Sequence, residues 1–175
     1  MLRYLIRAAL LALLLTLAAR PGLAQTANLD LEPVQQDVKE LNAAIYRGDI
    51  DAILRFTHPK AIEMLGGQDA ARAALEQGLL PALEAGMTLE TLTFPSPPEY
   101  LRGQDRRFVI VPTLSVMSFQ GERIESLNFQ FGVLESGIQG WSYLEGSRVN
   151  KENVQSLFPD FPADYTFPEI YRRKL

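Results

Sequence analysis

The 175-residue chain contains a single histidine, His58, inside the stretch FTHPKAIEMLGG at 56–67. A neutral imidazole, with an ordinary pKa near 6.5, can take a proton as a general base. A histidine at a helix end can instead bind the last carbonyls of that helix. Tyr46 is the second candidate. It lies beside a helical apolar stripe, where its hydroxyl serves either as an electrophile in a pocket or as a core group with a local partner. Two carboxylates fall in phase with apolar strand residues: Glu125 with Leu127 and Phe129, and Glu145 with Trp141 and Tyr143. Burial would tune either for acid–base work, whereas their positions at strand ends equally suit solvated side chains. Arg123 and Glu125 share a face and are placed to pair.

Other chemistries are excluded by residue type. There is no cysteine, hence no thiolate nucleophile, thiolate metal site or disulfide. One histidine and no D-x-D-x-D-G loop argue against a metal site. No P-loop, G-x-G-x-x-G or G-x-S-x-G is present, and no cofactor is expected.

The apolar residues Met64, Met87, Leu127, Phe129, Phe131, Trp141 and Tyr143 either form the core under the helices or line a cavity for a small apolar ligand. In the second case Tyr46 and His58 are the polar groups at its mouth, since such sites are mostly apolar with a few placed polar groups.

The elements that must position these residues fall into two halves. Residues 1–24 have the order of a secretory signal peptide: Arg3 and Arg7, an apolar run over 8–19, Pro21, then Gly22 and Ala24 before Gln25. The run is too short to span a bilayer, so membrane contact is expected only during export, and the protein is expected in the periplasm or secreted. Residues 25–32 are a short lead. The segment 1–24 holds Arg3, Arg7 and Arg20 and no acid, so the rest carries 14 basic against 21 acidic residues. That balance argues against a nucleic-acid partner, and the terminal RRKL reads as a solvated tail.

Pro33 suits the first position of a helix, and Val34, Val38, Leu41 and Ile45 recur on one helical face. Gly48 stops this helix and Asp49 caps the next, which His58–Pro59 ends. Gly66–Gly67 turns the chain into a third helical stretch, where Gly78 and Pro81 predict a kink or two short helices. From Thr88 the period becomes two. Strands are expected over TLETLTF, RRFVIVPTLSVMSF, RIESLNFQFGVLE and WSYLEG, with Pro112 at a bulge or edge. On the third, Leu127, Phe129, Phe131 and Val133 share one face, while Ser126, Asn128 and Gln130 share the other. Helices followed by an antiparallel meander give an α+β fold, with one domain over 33–147. A short helix and a proline- and aromatic-rich tail follow over 148–175.

The segments AIYRGDIDAIL (44–54), HP…LGGQDAARAAL (58–75) and GWSYLEG (140–146) resemble the nuclear transport factor two–like superfamily, whose members include ketosteroid isomerase, scytalone dehydratase and limonene-epoxide hydrolase. The resemblance covers roughly 34–147. It implies a cystatin-like cone, with three N-terminal helices packed in the concavity of a curved, mainly antiparallel sheet of four to five strands. It also implies that the stretch holding His58 faces the cone mouth, and that the outer sheet face pairs in a homodimer. The catalytic sets of the family's hydrolases and dehydratases have no complete match here. The expectation is therefore an exported protein that binds a small apolar ligand without catalysis. The alternatives are an isomerase, dehydratase or hydrolase with His58 as base and Tyr46 as electrophile, and an interaction module whose aromatic tail docks on a partner or on its own domain.

Overall fold

The computed structural model describes residues 31–175. The expected signal segment and residues 25–30 lie outside the described residues. Helix α1, Leu31–Arg47, already includes the two residues before Pro33. It buries Val34, Val38, Leu41 and Ala44, the stripe expected from their spacing. Gly48 adopts φ 69°, a left-handed conformation that ends the helix. Asp49 caps α2, Ile50–Phe56, with Oδ1 accepting from the Ala52 N–H at 3.0 Å.

The next segment differs from expectation. His58 does not close α2. It opens α3, Pro59–Met64, as its N-cap. The residue before a proline is held extended, here at φ −64° and ψ 139°, and Pro59 takes the first helical position, where no N–H is needed. Helix α4, Gln68–Glu84, runs through Gly78 and Pro81 as one 17-residue helix. Pro81 and Gln77, whose carbonyl loses its i+4 donor, are both exposed, so water can replace the missing bond.

A curved antiparallel sheet follows, of six strands rather than four or five. Its spine is a hairpin of two long strands, β3 (Arg106–Phe119) and β4 (Glu122–Glu135). Gln120 and Gly121, with φ 51° and 80°, form its turn, the geometry required by a two-residue connection between twisted strands. On one edge of this hairpin, β1 (Thr88–Thr93) and β2 (Glu99–Arg102) pair with different halves of β3. Pro112 falls in the gap between their partners. On the other edge, β5 (Ser142–Glu145) pairs with 130–133 of β4, and β6 (Tyr171–Lys174) pairs with 124–127. The tail expected as extended chain thus returns as a strand, after a short helix α5, Val154–Leu157.

The sheet is covered on both faces. On one, Val109, Val111 and Tyr143 share a buried cluster with Val34, Val38, Leu41, Ile53 and Leu54 of α1 and α2. On the other, Phe108, Ile110, Phe129, Phe131 and Leu144 share a second buried cluster with Val154, Phe158 and Phe161 of the tail. Phe158 stacks on Phe131 at 5.3 Å and meets Phe108 edge-on at 5.7 Å, both favoured ring geometries. Gly132 lets the helix-side face close tightly. A Cβ there would stand 2.5 Å from Val109 Cγ1 and 3.0 Å from the Tyr143 ring.

Candidate functional site

The alternation of β3 and β4 decides which side chains meet the helices. Cross-strand partners point to the same face. Val109 opposite Gly132, Val111 opposite Gln130, Thr113 opposite Asn128 and Ser115 opposite Ser126 all lie on the helix side. Near β2 and β5 this face is apolar and packed. Toward β1 and β6 its side chains become polar, and there sheet and helices enclose a cavity of about 380 Å³, within the range of small-molecule sites. Leu41, Ile45, Leu54 and Leu75 line it from the helices, and Leu92 from β1. The opposite side consists of Thr113, Ser115, Ser126, Asn128 and Gln130, with Glu145, Arg148 and Arg172.

Of the residues singled out from sequence, Tyr46, Met64, Met87 and Tyr143 line this cavity. Tyr46 is half-buried, and burial pushes its hydroxyl pKa up against the opposing effect of the Arg172 cation. The Tyr143 hydroxyl donates to Asp37 Oδ2 at 2.9 Å. Burial first, and the Asp37 carboxylate next, raise its pKa far above the ordinary tyrosine value.

Phe129 and Phe131 lie on the other face, in the cluster held by the tail. Leu127 lies on that same face, beside Pro95, Pro97, Ile110 and Pro168. Trp141 is on the helix side but outside the cavity, edge-on to Tyr100 at 5.9 Å and part of a separate cleft with Arg55, Pro59 and Arg72. Leu127, Phe129 and Phe131 do not line the cavity because the apolar phase of β4 faces the tail instead of the helices, and Trp141, which follows β4, packs on the helix side beside the cavity rather than in it.

His58 also lies outside it. The residue is 3% exposed, and its ring packs edge-on to Phe158 at 5.3 Å. Its backbone N–H donates to the Tyr143 carbonyl at 2.8 Å, and Nδ1 accepts from the Lys60 N–H at 3.1 Å. That bond fixes the neutral tautomer with the proton on Nε2, which lies 3.6 Å from Glu135 Oε1. Glu135 receives Arg106 Nε at 3.1 Å, and Arg106 Nη1 reaches Asp160 at 2.9 Å. Burial lowers the His58 pKa and outweighs the opposing effect of Glu135.

The carboxylates separate likewise. Glu145 lines the cavity, accepts from Asn128 Nδ2 at 3.2 Å and lies 4.0 Å from Arg148 Nε. Glu125 is on the tail side, bound by Arg173 at 2.6 Å and by the Tyr171 hydroxyl at 2.9 Å. Arg123 pairs with Glu90 rather than Glu125. The terminal RRKL is not merely solvated: Arg172 lines the cavity, Arg173 holds Glu125 and Lys174 holds Glu122.

Sequence reasoning missed Thr113, Ser115, Ser126, Asn128, Gln130, Arg148 and Arg172. The signal for the β4 members was present as the polar phase of that strand, which ordinarily faces water. Among the described residues, no helix is long and apolar enough to cross a membrane, and no group of three or more His, Cys, Asp or Glu is arranged to hold a metal. Comparison with protein families, curated proteins and solved structures finds no match.

Proposed function

We propose that this is an exported protein of the nuclear transport factor two–like fold, a cystatin-like cone whose helices sit in the concavity of the sheet, and that it binds a small ligand in the cavity without catalysing a reaction. The carrying observation is the two-sided lining: apolar helix residues face a strand surface of hydroxyls and amides across about 380 Å³. A packed interior holds few polar side chains unless they are paired, whereas a ligand site uses them to fix orientation. The ligand that fits has an apolar body, as expected from the sequence, and a polar edge.

His58 does not support the enzymatic alternative. Its Nδ1 is taken by the Lys60 amide, and its Nε2, which makes no hydrogen bond among the described residues and lies 3.6 Å from Glu135, is buried beside Phe158 outside the cavity, whereas a general base must reach the proton that it removes. The burial of Phe158 and Phe161, with Tyr165 and Phe167 packed partly buried beside them, favours docking of the aromatic tail on its own domain over docking on a partner. A homodimer through the outer sheet face would use what the tail leaves there, around the half-buried Leu114 and Val116.

Native mass spectrometry of the protein purified from the compartment to which it is exported tests this reading. The expected result is a retained small molecule, lost on denaturation. A bare protein that takes up nothing from an extract of the same compartment would overturn it.

A further inference from the structure

We infer that the ligand carries an anionic group, a carboxylate or its equivalent, and that Arg172 of the C-terminal strand holds it. This rests on the proposed cavity reading and names the ligand class.

Four strands contribute one row across the cavity: Leu92 opposite Ser115, Ser115 opposite Ser126, and Ser126 opposite Arg172. All four residues line the cavity. The row therefore runs from an aliphatic side chain at the β1 edge, through two hydroxyls, to a guanidinium at the β6 edge. A molecule lying along it meets apolar surface at one end and a cation at the other.

The charge balance supports the assignment. The whole chain carries net charge −4, yet the formal charges lining the cavity are two arginines and one glutamate. Glu145 lies within 4.0 Å of Arg148 and partly balances it. Arg172 makes no ion pair among the described residues, although its neighbours on β6 do: Arg173 with Glu125 and Lys174 with Glu122. An arginine fork matches a planar carboxylate in two-pronged geometry. The Arg172 field reaches the Tyr46 hydroxyl, where it favours negative charge. Tyr46 and Ser126 can then donate to the same anion.

The test uses three probes with one apolar body: 4-butylbenzoate, 4-butylbenzyl alcohol and 4-butylbenzylamine. Each is titrated by calorimetry into the full chain and into Arg172→Gln. Arg172 is exposed, so this variant should keep its fold, as an unchanged melting temperature would confirm. Ser126→Leu, which fills the cavity from the neighbouring strand, serves as the blocking control. The expected result is that the benzoate binds about tenfold or more tighter than the alcohol, that the amine binds weakest, and that Arg172→Gln removes the benzoate's advantage over the alcohol. If the alcohol matches the benzoate and Ser126→Leu abolishes both, the cavity reading stands and the anion assignment is overturned. An undiminished benzoate advantage in Arg172→Gln overturns the role of that residue. Saturable binding of none of the three overturns the assignment together with the cavity reading.

Discussion

The two faces of the β3–β4 hairpin are made from alternate residues of the same strands, and they do opposite things. Phe129, Phe131 and Val133 are at most 1% exposed and belong to a ring-packed cluster closed by Phe158 and Phe161. Ser126, Asn128 and Gln130, one residue out of phase, line a cavity. The difference teaches that the element covering a face, and not its apolar character alone, decides whether it becomes core or site. The tail supplies the aromatic cover, which leaves the helices to roof a strand surface that is polar toward β6.

The sharpest way to break this comparison is to remove the cover. Deleting 156–175 removes Phe158, Phe161, Phe167 and β6 together. The expected outcome is loss of the cooperative thermal transition, read by circular dichroism. Full retention would mean that the tail is an arm for a partner. A smaller change separates the two faces of one strand. Phe131→Ala should cost about 3–5 kcal/mol, as large-to-small core changes do. Ser126→Val should stay within about 0.5 kcal/mol, as substitutions away from packed features do. Denaturant midpoints measured side by side check the pair, and equal losses would erase the distinction.

The smallest expected effect concerns His58, which sits against the tail-side cluster. Its pKa is lowered in the folded protein, so the native state keeps it neutral while the unfolded state gains a proton below about pH 6.5. Its contribution is therefore intact above that pH and is lost as the pH falls from about 6.5 toward the folded value. Glu135 opposes this shift, and Arg106 and Lys60 reinforce it. In His58→Asn the amide oxygen can still accept the Lys60 N–H as a cap, while the titration disappears. Stability measured from pH 7 downward should fall less steeply than in the parent. An identical slope would show that His58 does not titrate on unfolding.

Much of the fold was legible in the sequence. The stripe of α1, the Asp49 cap and the alternation of β4 all follow from local rules. The α3 turn was not, because His58–Pro59 reads equally as a helix end or a helix start. The continuity of α4 depends on where Pro81 meets water. The lining of the candidate cavity was half legible. Tyr46, Met64 and Met87 were found from their positions, but alternation gives two faces without saying which one the helices cover. That choice was made by Phe158 and Phe161, which lie beyond the recognisable α+β core. Arg172 was hidden for a related reason: nothing in YRRK predicts that it returns to pair with 124–127.

The described residues contain three methionines, Met64, Met87 and Met117, and all three line the cavity. Their methyl groups report directly on whether the helix-side face takes up a ligand. Protein labelled with ¹³C-methyl methionine and titrated with 4-butylbenzyl alcohol is therefore the most direct test. The account predicts saturable shifts at all three methyls, abolished in Ser126→Leu, with no ligand contacts to Phe129 or Phe131. Methyl signals that stay fixed to probe saturation, or ligand contacts on the Phe129–Phe131 face, would contradict it.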